Sequence, residues 1–194
     1  MDKPGNFSNP PDSSGFDLAA LQRQDPTEFE RLYVVFAPAL RLYLARLCGD
    51  METASDIVQE TFVKAYRALP RTGPDLQLRS WLYKIATNTA HSTLRLVAWK
   101  RVLPFGDHPP KQLVTIEAML ENRYIETELV EHALTAIKPE YAVCLLLYWR
   151  EGFSLDELCN ILALTKDNLK KRLYRAKQVF VAAYAKECVD SVSK

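Results

Sequence analysis

The residues best suited to chemistry form a cationic run near the C-terminus. Lys166, Lys170, Lys171, Arg172, Arg175 and Lys177 stand against Asp167 alone between positions 166 and 177. On a helix, cations at this density suit the neutralisation of phosphates, which sets affinity for nucleic acid and its dependence on salt. Residues early in such a helix are the ones that reach base edges, which makes Asp167, Asn168 and Lys171 the candidates for sequence reading. Lys170, Arg172, Arg175 and Lys177 are the candidates for backbone contacts. A second set, Lys84, Asn88, His91 and Arg95, recurs at i, i+4, i+7 and i+11 and so lies on one helical stripe, with Lys100 and Arg101 following. An asparagine amide can donate to and accept from a base while the cations hold phosphates. A third set is acidic: Asp56, Gln59 and Glu60 share a helix side with Val63, a surface suited to a basic partner. An ordinary solvated helix face has the same residue types, so the surrounding elements must decide between the two.

Other chemistries find less support. Cys48, Cys144, Cys159 and Cys188 are far apart, with no CxxC pair and no clustered histidine, so neither a zinc site nor a disulfide scaffold is expected. One histidine, His91, near Asp56 and Glu60 is a weak basis for a metal site or an acid/base centre. No metal, cofactor or catalytic residue is expected. The 25 cations and 24 carboxylates of the 194-residue chain leave a formal charge of +1, and 48% of residues are hydrophobic, which excludes both wholesale disorder and a uniformly basic coat. Charge must therefore act locally.

The elements that carry these residues read as helices throughout. Asp25 caps a helix with Pro26 and Glu28 in its first turn and Phe29, Leu32, Tyr33 and Phe36 as its stripe. Pro38 suits the first turn of a second helix, which buries Leu40, Tyr43, Leu44 and Leu47 and stops at Gly49. A third helix, about Met51 to Leu69, turns Ile57, Val58, Thr61, Phe62, Ala65, Tyr66 and Leu69 inward before Pro70. A fourth begins near Leu78 with Trp81, Leu82, Ile85 and Thr89 inward.

Pro104, Gly106, Pro109 and Pro110 then break the pattern, and 112–140 carries six carboxylates against Arg123 and Lys138, between two basic regions. Beyond it Val130, Ala133, Leu134 and Ile137 form a face, and Pro139 opens a helix that is apolar almost all round. Ser154 and Glu157 have the spacing of a capping box before Leu158, Ile161 and Leu162. Ala163 and Leu164 turn the chain, and Thr165 caps a last long helix with Leu169, Leu173, Ala176 and Phe180 inward. A capped helix, a tight turn and a basic helix make a helix-turn-helix, a geometry that inserts its second helix into the major groove. The expected fold is all-α: a tail at 1–16, a four-helix domain at 17–101, a linker at 102–128 and a helix-turn-helix domain at 129–188.

These residues resemble the extracytoplasmic-function type of bacterial sigma factor, within the sigma-70 family. Region 2 of that family is matched by Phe29-Glu-Arg-Leu-Tyr33, by Ala54-Ser-Asp-Ile-Val-Gln-Glu-Thr-Phe62 with Lys64-Ala-Tyr66, and by Ser80-Trp-Leu-Tyr-Lys-Ile-Ala-Thr-Asn88. Region 4 is matched by Ala133-Leu-Thr-Ala-Ile-Lys-Pro139 and by Gly152-Phe-Ser-Leu-Asp-Glu-Leu158 through Lys171-Arg-Leu-Tyr-Arg-Ala176. Departures are Ser55 where the family is usually acidic, Cys159 for a small residue, Ala163 for the turn glycine, and Asp167-Asn-Leu169 for a common Gly-Thr-Val.

The resemblance implies a protein that is not an enzyme, binds core RNA polymerase and directs it to promoters. Asp56, Gln59 and Glu60 would dock on the polymerase clamp. Lys84, Asn88, His91, Arg95, Lys100 and Arg101 would serve the minus-10 element, with Asn88 helping to capture a flipped base. Lys166, Asp167, Asn168, Lys170, Lys171, Arg172 and Arg175 would serve the minus-35 element. An anti-sigma factor that covers both domains is the further partner implied. The polar N-terminus with Pro4, Pro10 and Pro11 lacks a secretory signal, and the longest apolar run, Tyr141 to Trp149, is too short to span a bilayer, so no membrane insertion and a cytoplasmic location are expected. The competing readings are a stand-alone helix-turn-helix regulator that binds a palindromic site as a dimer, and a helical enzyme built on Asp56, Glu60 and His91.

Overall fold

A computed structural model describes residues 15–101 and 121–192, with side chains described for 15–93 and 129–188. Residues 1–14 of the expected tail and most of the expected linker at 102–128 lie outside the described residues, while Phe16, read as tail, packs its ring 5.9 Å from that of Phe36. Every regular element among the described residues is helical.

The first half is built from α1 (Leu18–Gln22), α2 (Pro26–Cys48), α3 (Met51–Ala68) and α4 (Leu78–Arg101). Asp25 caps α2 by accepting from the Glu28 N–H at 3.0 Å, and Asp50 caps α3 by accepting from the Glu52 and Thr53 N–H groups at 3.2 and 2.7 Å. Gly49 ends α2 at φ +74°, a left-handed position that favours glycine. Leu32, Phe36, Leu40, Tyr43 and Leu44 of α2 are fully buried against Ile57, Phe62 and Ala65 of α3 and Leu82, Tyr83 and Ala86 of α4. Each large apolar side chain removed from water contributes roughly 1.5–3 kcal/mol, so this stripe dominates the stability of the unit.

The second half is built from α5 (Glu121–Ala136), α6 (Pro139–Leu145) with a π turn at Leu146–Arg150, α7 (Leu155–Leu162) and α8 (Lys166–Val192). Cys144, Leu147, Phe153 and Leu158 are fully buried, as are Leu169 and Ala176 of α8. The expected capping box is present: the Glu157 N–H donates to Ser154 Oγ at 3.3 Å, and the Ser154 N–H donates to the Glu157 carboxylate at 2.8 Å. The helix that is apolar all round is central, packing on α8 and touching α2.

Four expectations are corrected. Pro38 does not open a new helix but lies inside the continuous α2. Apolar residues on both sides of it, Phe36 and Leu40, are buried on one face, and that shared burial outweighs the proline's missing N–H. The second helical unit begins before position 129, because α5 starts at Glu121 within the stretch read as linker. Tyr33 and Tyr66 are 42% and 37% exposed rather than buried, since each lies at the edge of its stripe and packs only one ring edge on Phe62 or Phe29. Val130 is 37% exposed for the same edge position on α5.

Replacing Ser154 by alanine removes the cap acceptor and leaves the Glu157 N–H without it, so Ser154→Ala is expected to lower stability by about 1 kcal/mol in urea unfolding. An unchanged midpoint would show that the cap is not part of the folded state in solution.

Candidate nucleic-acid interface

The turn between α7 and α8 sets the aim of the basic helix. Ala163 closes α7 in the left-handed region at φ 52° and ψ 45°, its N–H donating back to the Cys159 carbonyl. Thr165 then starts α8, accepting from the Asn168 N–H at 3.4 Å. Leu169, Leu173 and Ala176 turn into the core, which leaves Asp167, Asn168, Lys170, Lys171, Arg175 and Lys177 exposed together. The structure thus brings six of the expected residues onto one outward face.

Two members of the basic set are otherwise engaged. Lys166 Nζ lies 2.8 Å from the Asp156 carboxylate, and that hydrogen bond raises its pKa. This exposed pair joins the ends of the two helices and competes with any phosphate. Arg172 is half-buried beside the Cys144 thiol, less open than the cations around it. Tyr174, 63% exposed among the cations, was not singled out from the sequence. Its position off the Leu169, Leu173, Ala176 stripe was the signal that could have found it.

On α4 the buried side is Leu82, Tyr83, Ala86 and Ala90, so Lys84, Asn88 and His91 emerge together on the exposed side, as their spacing requires. Trp81 and Ile85, expected inward, are only half-buried and flank Asn88 on the helix surface. Arg95, Lys100 and Arg101 lie where side chains are outside the described residues. Lys64 of α3 borders this face, donating to Thr89 Oγ1 at 3.1 Å while pairing with Glu60 at 2.7 Å.

On α3, Asp56, Gln59, Glu60 and Val63 are exposed on one side. The half-exposed rings of Tyr33 and Tyr66 border Val63, so an acidic surface runs into an apolar one. Among the described residues no group of three His, Cys, Asp or Glu side chains could hold a metal ion, so Asp56, Glu60 and His91 do not converge. No helix among the described residues is long and apolar enough to cross a membrane.

Similarity to known proteins extends over most of the chain. The Sigma-70 region 2 family matches residues 32–100, the span from α2 to the end of α4. The RNA polymerase sigma-H factor of Pseudomonas aeruginosa is 28% identical over 170 residues, covering 81% of this chain and 86% of its own length. The chain is thus similar to the sigma-70 family in region 2 and, over most of its length, to sigma factors of the extracytoplasmic-function type. The ECF RNA polymerase sigma-E factor of Escherichia coli is likewise 28% identical, over 171 residues, covering 81% of this chain and 87% of its own. Two solved structures share the fold. The sigma factor RpoE of Bartonella quintana, in complex with the anti-sigma factor NepR, has a TM-score of 0.68 at 21% identity over 81% of this chain and 96% of that one. CnrH, in complex with the cytosolic domain of CnrY, has a TM-score of 0.63 at 23% identity over 85% and 92%. The sigma-factor fold is therefore two all-helical units, as expected.

Two outcomes follow. Because Ala163 holds a left-handed conformation that costs an alanine about 1 kcal/mol and a glycine little, Ala163→Gly is expected to raise stability by about 0.5 kcal/mol in thermal unfolding, with DNA binding retained. A fall in stability would place the turn in another conformation. Burial pushes the thiols of Cys48 and Cys144 up to about 11, so both stay protonated at pH 8 and iodoacetamide is expected to modify them at least tenfold more slowly in the folded chain than in urea. Equal rates would contradict their burial.

Proposed function

We propose that this sigma factor binds core RNA polymerase through Asp56, Gln59 and Glu60 of α3 and reads promoter DNA with two separate faces. Lys84, Asn88 and His91 of α4, with Arg95, Lys100 and Arg101 beyond them, serve the minus-10 element. Asp167, Asn168, Lys170, Lys171 and Arg175 of α8 serve the minus-35 element, with Lys166 released from Asp156 on binding and Arg172 acting mainly as a support for α8. On this reading residues 17–101 form the polymerase and minus-10 unit, and the minus-35 unit occupies the chain from α5 to position 188. The observation that carries the reading is the coexistence on one chain of an acidic and apolar docking face and two DNA-suited faces on different helices. A regulator that binds DNA through its helix-turn-helix alone has no use for the first of these.

Initiation factors of this kind perform no chemistry of their own, and the reading assigns no catalytic residue and no cofactor. Its place of action is the cytoplasm, where the polymerase works. An anti-sigma factor is the further partner, by analogy with the fold neighbour RpoE, which is bound to the anti-sigma factor NepR. A groove of about 350 Å³ offers such a protein an apolar floor of Leu134, Leu145 and Phe180 and a rim of Arg46, Arg150 and Lys177. Burial and the neighbouring Arg150 together lower the pKa of Arg46, a cation pair that favours an acidic ligand.

The test separates the two tasks. Asp56→Ala with Gln59→Ala is expected to weaken binding to core polymerase at least tenfold, while Lys171→Ala leaves that binding intact and weakens selection of minus-35 sequence at least tenfold in a promoter competition. Equal polymerase binding by both variants would overturn the assignment.

A further inference from the structure

The cations of α8 are not all free to meet a phosphate, and the exception stands at the first residue of the helix. Lys166 opens α8, and its Nζ lies 2.8 Å from the carboxylate of Asp156, the second residue of α7. The pair joins the starts of the two helices across ten positions of chain. The caps of the turn involve neither residue. The Glu157 carboxylate accepts from the Ser154 N–H at 2.8 Å and from the Ser154 hydroxyl at 2.7 Å, and Thr165 caps α8. With Lys166 held by Asp156 and Arg172 half-buried, the open cations between 166 and 177 are Lys170, Lys171, Arg175 and Lys177.

The place of this carboxylate matters more than the strength of its bond. The N-terminus of a helix carries partial positive charge and open N–H groups, which favours a phosphate there. In a helix-turn-helix the first helix crosses the DNA backbone while the early residues of the second reach base edges. Asp156 therefore puts a negative charge on Lys166 at the spot a phosphate would take. A phosphate that reaches Lys166 must displace the carboxylate and then lie beside it, so what the cation gains from one anion it loses from the other. With side chains 54% and 77% exposed, the two residues brace the fold weakly and exchange partners readily. Their effect is one of charge.

We propose that Asp156 masks Lys166, so that the pair meets DNA as a neutral unit and α8 grips any duplex with one phosphate contact fewer than its cations would supply. The inference rests on the assignment of α8 to promoter DNA and adds a control on its affinity. Asp156 is a positioning residue in this scheme, since it touches Lys166 and no base. Sequence-independent binding rises with each phosphate neutralised, and non-promoter sites vastly outnumber promoters. A weaker hold on the backbone leaves more of the chain free for polymerase, while Asp167, Asn168 and Lys171 keep their contacts with bases.

Fluorescence anisotropy of the full chain on a duplex of about 25 base pairs without promoter sequence, from about 20 to about 200 mM salt, counts phosphate contacts through the salt slope. Asp156→Asn is expected to tighten binding at least threefold at the lowest salt and to steepen the slope of log affinity against log salt by about one. Combining it with Lys166→Met is expected to return affinity to within about twofold of the wild type, because both chains then carry no net charge at this place. Asp156→Glu, which keeps the charge, is expected to match the wild type. Circular dichroism on each chain checks α7, whose first turn is also suited by the charge of Asp156. If Asp156→Asn loses helix, Asp156→Gln takes its place. Unchanged or weaker binding by Asp156→Asn would overturn the mask, as would a double variant that stays as tight as Asp156→Asn. A second readout needs no DNA: carbon NMR of the lysine side chains is expected to show Lys166 losing its proton at lower pH in Asp156→Asn than in the wild type. Identical titrations would show that the two residues do not pair in solution and would overturn the proposal at its root. If the pair is present but no chain binds duplex, the assignment of α8 to DNA fails and the mask falls with it.

Discussion

Leu169, Leu173 and Ala176 are buried under α6 and α7, and this one-sided burial fixes where every cation of α8 points. A helix has one azimuth to give. Once its apolar stripe is committed to the core, Lys170, Lys171 and Arg175 are held outward without any contact of their own, and their side chains stay free to adapt to phosphates. The capping box on α7 and the left-handed Ala163 serve the same end by setting the angle at which α8 leaves the core. The same economy operates on α4, where Leu82, Tyr83, Ala86 and Ala90 go inward and Lys84, Asn88 and His91 are left on the surface.

The α2, α3 and α4 interface is largely apolar, its polar groups paired locally, as with the Tyr43 hydroxyl and Thr87 Oγ1 at 2.9 Å. Burial pushes the Tyr43 phenol above its ordinary range, so it stays a neutral hydrogen-bonding group at any working pH. Between the halves the same apolar core continues, joined by the buried Glu151 and Tyr83 pair and by Arg46 and Glu131 as a partly exposed pair at 3.7 Å.

Much of this was legible in the sequence because it depends on local periodicity. The Asp25 and Ser154 caps, the Gly49 stop, the turn at Ala163 and the outward sets on α3, α4 and α8 all follow from spacing within a single helix. Failures came where distant residues compete. Pro38 reads as a helix start, yet burial of Phe36 and Leu40 on the same face carries α2 through it. Glu151 carries no periodic signal at all; its role depends on a π turn and on Tyr83 from the other unit, 68 positions back. Single-helix patterns therefore locate faces, while pairings between helices decide which members of a face are available.

The central claim is that this chain confers start-site choice on core polymerase by reading two asymmetric elements. The most direct measurement is transcription by purified core polymerase on fragmented genomic DNA, with and without the chain, followed by mapping of transcript 5′ ends. The account predicts discrete start sites that appear only with the chain, each preceded by two shared and non-palindromic sequence blocks centred about 10 and about 35 base pairs upstream. Identical start sites in both reactions, or a single palindromic block, would contradict it.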